Sequence, residues 1–162
     1  MGRRGFTLLE LLVVMAIMAM IMGATMAAYF SIGQGARIRG AVNTLQSNLA
    51  LARQRTVLQQ IPLSVVFSNN VTSGTWHYQV EEAESGARIG EVMHVPPGVD
   101  LLTEAAEDIG DGDRITFRPS GSADPEFATI KLVEAVNVDQ VWTLTVYGLT
   151  GLVKVVEPEP GP

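Results

Sequence analysis

Gly5-Phe6-Thr7-Leu8-Leu9-Glu10-Leu11-Leu12-Val13-Val14 opens an apolar run that reaches about Phe30, and Arg3-Arg4 stand just before it. Between Phe6 and Phe30 the residues are mainly Leu, Val, Ile, Met and Ala, interrupted by Thr7, Glu10, Gly23 and Thr25. At 1.5 Å rise per residue, a helix over this run is long enough for a hydrocarbon core of ~30 Å. Arginines stay on the cytoplasmic side, so the pair orients the segment and implies that the C-terminal bulk is exported. Glu10 is the anomaly, because a carboxylate in hydrocarbon costs roughly 2.5–3.5 kcal/mol on insertion scales. An ordinary secretory signal is the competing reading, but it has a shorter apolar core followed by a small-residue cleavage site. Here the basic residues run straight into Gly5-Phe6 and the apolar run is long.

Beyond the membrane segment a second helical pattern continues. Ile38, Val42, Leu45, Leu49, Ala52 and Thr56 recur at alternating spacings of four and three, forming one stripe of a helix. Arg37, Arg39, Asn43, Gln46, Arg53 and Gln54 fall on the other faces, so the apolar stripe must lie on something. Gly33, Gly35 and Gly40 interrupt the junction at ~1 kcal/mol each relative to Ala, which predicts a bend or local melting there. Ile61-Pro62 predicts the helix end, since the residue before Pro is pushed out of the α region.

From Pro62 the pattern turns to short β-type runs. Residues 63–67, 75–80, 89–93, 114–118, 127–132, 141–147 and 152–156 all read as strands. Turn clusters separate them at Asn69-Asn70, Pro96-Pro97-Gly98, Pro119-Ser120-Gly121 and Gly148-Leu149-Thr150-Gly151. Thr143, Thr145 and Tyr147 alternate with Trp142, Leu144 and Val146, which gives one wet face and one buried face. The expected fold is α+β: a long N-terminal helix, transmembrane and then amphipathic, packed on a C-terminal antiparallel β-sheet head. The expected segments are a leader at 1–5, a transmembrane helix at 6–30, an amphipathic continuation at 31–61, a head at 62–156 and a disordered acidic Pro-rich tail at 157–162.

The 162 residues leave room for one globular domain after the membrane segment. Without the first five residues, nine basic residues stand against 17 acidic ones, a surplus of negative charge that repels phosphates. Cysteine is absent, which excludes disulfides, Cys-ligated zinc and Cys nucleophiles. His77 and His94 are the two histidines and do not by themselves make a closed zinc site. Asp108, Asp111 and Asp113, with Gly110 and Gly112, form an acidic turn that is the weak calcium candidate; its spacing does not match an EF-hand, and the plain reading is a solvated loop. Nothing matches a nucleophile elbow or an ordered triad, so no enzyme and no cofactor are expected.

Gly5-Phe6-Thr7-Leu8-Leu9-Glu10 resembles the class III signal of type IV pilins and type II secretion pseudopilins. The resemblance implies that a membrane prepilin peptidase cuts between Gly5 and Phe6 and N-methylates Phe6, with Glu10 at the family's acidic fifth position. Ile115-Thr116-Phe117-Arg118-Pro119-Ser120-Gly121-Ser122-Ala123 and Thr150-Gly151-Leu152-Val153-Lys154-Val155 are similar to the C-terminal region of the GspH/FimT minor pseudopilins. That group often reads Gly-Arg-Val and then a basic residue at the second motif. Leu152 replaces the Arg here and Lys154 remains, so no role is carried over to that basic pair.

Within this resemblance Glu10 acquires a purpose. Apolar contacts between packed helices do not fix their axial register. A freed ammonium at Phe6 of one helix and the Glu10 carboxylate of its neighbour fix it, and at ~4 Å two unit charges attract by ~4 kcal/mol at an effective dielectric of 20. The implied function is that of a minor pseudopilin in the fibre of a type II secretion system, held in the inner membrane with a periplasmic head. Its implied partners are the prepilin peptidase, other pseudopilins or pilins, the inner-membrane assembly platform and membrane lipid. A minor pilin of a type IV pilus is the alternative within this architecture. A membrane-anchored β-domain that never polymerises is the alternative outside it. Some FimT-like minor pilins are associated with DNA uptake, but Arg88, Arg114, Arg118, Lys131 and Lys154 are scattered among acids, and nucleic acid is disfavoured.

Overall fold

The computed structural model describes residues 7–70, 72–105 and 108–158, with backbone alone at 27–34 and 137–138. Arg3, Arg4, Gly5 and Phe6 lie outside the described residues, as do residues 159–162 of the expected tail. Among the described residues a helix, α1 (Leu8–Gln59), is followed by nine strands: β1 (Leu63–Asn70), β2 (Thr75–Glu82), β3 (Met93–His94), β4 (Val99–Leu102), β5 (Arg114–Phe117), β6 (Ala123–Asp124), β7 (Phe127–Glu134), β8 (Asn137–Tyr147) and β9 (Leu152–Val156). The chain divides into two compact units between Ala36 and Arg37.

In the first unit, α1 carries Leu8–Met26, 19 residues with a mean hydropathy of 2.3 and no part buried. Such a helix is about 28 Å long, the thickness of a hydrocarbon core. Apart from Glu10 in its first turn it is apolar on all sides, so no polar face runs along it. Of the bend or local melting expected near Gly33, Gly35 and Gly40, the melting does not occur, and helical hydrogen bonding runs through all three. Helix propagation is cooperative, and residues with good propensity on both sides carry it across the glycines.

In the second unit the apolar stripe is the spine of the core. Ile38, Val42, Leu45, Leu49, Ala52 and Thr56 are all buried, and the five hydrophobic ones belong to a single cluster with the strands. Those strands form two antiparallel sheets where one was expected, in the orders β3-β2-β1-β5-β6 and β4-β7-β8-β9. From the first come Leu63, Val65, Phe67, Tyr78, Ile115 and Phe117, and from the second Ala128, Ile130, Leu132, Trp142, Leu144 and Val146. The alternation read in β8 holds: Trp142, Leu144 and Val146 are buried, whereas Thr143, Thr145 and Tyr147 are not.

Three local readings are corrected. The helix ends at Gln59, before Ile61-Pro62, because Gln60 takes a positive φ of 57° and its Nε2 donates to the Val57 carbonyl at 2.7 Å. The run 89–93 is not a strand; Gly90 has φ 89°, and the strand β3 starts only at Met93. Arg39 and Arg53, placed by periodicity on the polar faces, both reach the head. The Arg39 guanidinium lies 5.9 Å from the centre of the Trp142 ring, and Arg53 hydrogen-bonds to a turn. Long cationic side chains flanking a stripe lay their methylenes along it and place their charge beyond it.

Candidate functional site

Thr7 begins the membrane helix. Its carbonyl accepts from the amides of Glu10 at 3.1 Å and Leu11 at 3.2 Å, and its Oγ1 accepts from Glu10 N at 3.2 Å. A Thr cap of this kind is worth about 1 kcal/mol. Thr7-Leu8-Leu9-Glu10 has the Ser/Thr-x-x-Glu spacing of a capping box, a signal visible in the sequence alone. The cap places Glu10 in the first turn, where the positive end of the helix dipole favours a carboxylate. Glu10 is exposed, as are Leu8, Leu9, Leu11, Leu12, Val13 and Val14 around it. A charge projecting from an apolar, unburied helix turn is available to a neighbouring helix.

The three aspartates of the acidic turn do not converge. Asp108 Oδ2 accepts from the amides of Glu104 at 3.0 Å and Ala105 at 2.8 Å, and from Lys131 Nζ at 3.0 Å. Asp111 Oδ1 accepts from Asn69 N at 2.7 Å, and Asp113 Oδ2 from Gly110 N at 2.8 Å. Each carboxylate clamps a different piece of backbone, and among the described residues no three His, Cys, Asp or Glu side chains gather as a metal site. Burial alone raises the Asp108 pKa, but the Ala105 amide, Lys131 and the Glu104 amide outweigh it, and the carboxyl sits below the ordinary value. On β2, burial pushes the Tyr78 phenol up, partly offset by the amide of Asn48, which donates to it at 2.9 Å.

The two C-terminal segments singled out in the sequence meet at α1. Arg53 Nε donates to the Gly121 carbonyl at 3.0 Å. Gly121 (φ 85°) closes the turn after β5, and Gly151 (φ 63°) closes the turn between β8 and β9. A Cβ on Gly151 would run into the Gly121 carbonyl and lie 2.9 Å from Arg53 Nε. Next to it, Gly148 N donates to Glu126 O at 2.6 Å and Ala123 N to Gly148 O at 2.6 Å. The turns at Gly121 and Gly151 were legible in the sequence, but their meeting with Arg53 was not, because the close approach arises from segments far apart in the chain.

The comparisons with known proteins fit this architecture. Residues 1–26 match the profile of the prokaryotic N-terminal methylation motif, and residues 41–150 match that of the type II transport protein GspH. The type IV minor pilin FimU of Pseudomonas aeruginosa shares the fold with a TM-score of 0.57 at 16% identity, over 76% of this chain and 91% of FimU. The minor pseudopilin EpsH from the type 2 secretion system of Vibrio cholerae aligns with a TM-score of 0.51 at 12% identity, over 78% of this chain and 99% of EpsH. No curated protein sequence matches significantly. The chain couples a prokaryotic N-terminal methylation motif to a type II transport domain. It belongs to the type II transport protein GspH family.

Proposed function

We propose that the protein is a minor pseudopilin, a structural and non-enzymatic subunit of the periplasmic pseudopilus of a type II secretion system. Prepilin peptidase removes residues 1–5 and methylates Phe6, and the head stays periplasmic while residues 6–30 hold the inner membrane. The new ammonium at Phe6 pairs with Glu10 of the next subunit, and the apolar helix then serves as fibre core. The observation that carries this reading is the GspH match over 41–150 in a chain whose 1–26 match the methylation motif. Mass spectrometry of the mature protein tests it: a methylated Phe6 at the N-terminus is expected, and a chain still bearing Met1 overturns it.

A minor pilin of a type IV pilus is the second reading, since the type IV minor pilin FimU shares this fold as EpsH does. Deletion of the gene separates the two. Loss of exoprotein secretion with pili intact supports the pseudopilin, and loss of pili with secretion intact supports the pilin.

A further inference from the structure

The two histidines of the chain, remote in sequence, are set opposite each other by the fold. β2 and β3 pair antiparallel with His77 facing His94 and Tyr78 facing Met93. Val95 N donates to Trp76 O at 2.9 Å, which makes Trp76 and Val95 a hydrogen-bonded couple of the ladder. His77 and His94, one step along each strand, therefore occupy the adjoining non-hydrogen-bonded couple. At such positions the Cα atoms of antiparallel strands approach to about 4.5 Å and the side chains are nearest. The flanking Trp76, Tyr78 and Val95 are buried in the core, whereas His77 is half-buried and His94 exposed, so both rings lie on the outer face. The ring centroids are 6.0 Å apart with planes inclined by 43°. Among the described residues neither ring is engaged by a hydrogen bond or an ion pair.

We propose that His77 and His94 form a solvent-open, two-imidazole chelate for a divalent transition-metal ion of the copper, nickel and zinc class. With metal–nitrogen bonds of about 2.0–2.1 Å, each ring centre lies roughly 3 Å from a bound ion, so a modest rotation of the exposed His94 brings one nitrogen of each ring onto one ion. Imidazole nitrogens select these metals, whereas calcium and magnesium require oxygen ligands. Since no third His, Cys, Asp or Glu joins the pair among the described residues, water or a donor from another molecule fills the remaining positions. The ion also has a mechanical consequence. β3 is two residues long and lies at the edge of its sheet, and a metal bridging it to β2 fastens the irregular segment 83–92 that leads into it.

The test is a titration of the tag-free, full-length protein in detergent with Cu(II), Ni(II) or Zn(II) salts, alongside His94→Gln and His77→Gln. The wild type is expected to bind one ion per chain, to show two nitrogen ligands in the Cu(II) electron paramagnetic resonance spectrum, and to gain thermal stability with Zn(II). Either substitution is expected to weaken binding by at least ~10-fold, since even loss of an outer-shell partner costs 10–100-fold. Circular dichroism without metal verifies that each variant is folded. A wild type that binds no ion overturns the proposal. So do variants that bind as tightly as the wild type, the outcome expected if the ion sits on the N-terminal amine.

Discussion

Arg53 Nε donates to the carbonyl of Gly121 at 3.0 Å, fastening α1 to the turn between β5 and β6. Gly151 fills the space beside that bond, so helix and two turns share one contact point with no room for a side chain. Gly151→Ala should therefore cost more than the ~1 kcal/mol typical of a glycine replaced at positive φ in open space. Gly86→Ala is the control, because Gly86 has φ 67° and a Cβ added there would meet nothing within 4 Å. A loss of roughly 2–4 kcal/mol for Gly151→Ala against about 1 for Gly86→Ala, by denaturant melts of the full chain, is expected when a clash adds to strain.

In the fibre proposed above, the partner of Glu10 exists only after processing, so the proposal separates two phenotypes. Glu10→Ala should be cleaved between Gly5 and Phe6 almost normally but be lost from fibres, because ~4 kcal/mol of attraction at ~4 Å disappears from each contact. Immunoblots of leader removal and crosslinking of the subunit into sheared fibres measure the two effects. Normal incorporation of the variant would remove the pairing mechanism.

Asp108 gives the head an acid-sensitive clamp. Its side chain is 2% exposed, and its pKa is lowered in the folded state despite the opposing effect of burial. A depressed carboxyl pKa contributes stability that is present above the unfolded value and lost as pH falls through the folded one. Asp108→Asn should cost roughly 1–3 kcal/mol at neutral pH, the cost of mismatching a buried hydrogen-bonding group. The variant's stability should also fall less steeply than that of the wild type on acidification below the ordinary carboxylate range, read as melting temperature against pH.

Leu49 and Thr56 sit on the same buried stripe with opposite expectations. Leu49 is fully buried, so Leu49→Ala should lose about 2–5 kcal/mol through lost burial and a cavity. Thr56 is buried too, but its Oγ1 has no hydrogen-bond partner among the described residues. Thr56→Val, nearly the same shape without the hydroxyl, should stabilise by roughly 0.5–1.5 kcal/mol. Chemical denaturation of both variants decides, and a destabilised Thr56→Val would mean that the hydroxyl is satisfied.

Whatever depends on local periodicity and residue chemistry was legible in the order of the amino acids. The spacing of Ile38, Val42, Leu45, Leu49, Ala52 and Thr56 named the buried stripe because a helix returns to the same face every three to four residues. The alternation through β8 named its buried face for the equivalent reason in a strand, and the opening motif named the family. Other features emerge only once the chain is folded. Two sheets in place of one, the pairing of the two-residue β3 and β6, and the departure of residues 89–93 from a strand depend on which distant segment supplies the hydrogen-bond partners. The same holds for the meeting of Arg53 with Gly121 and Gly151 and for His77 facing His94. A side chain's own pattern states which face it prefers, but the neighbour it meets is set by loop closure and packing across the whole chain, and no short window contains that information.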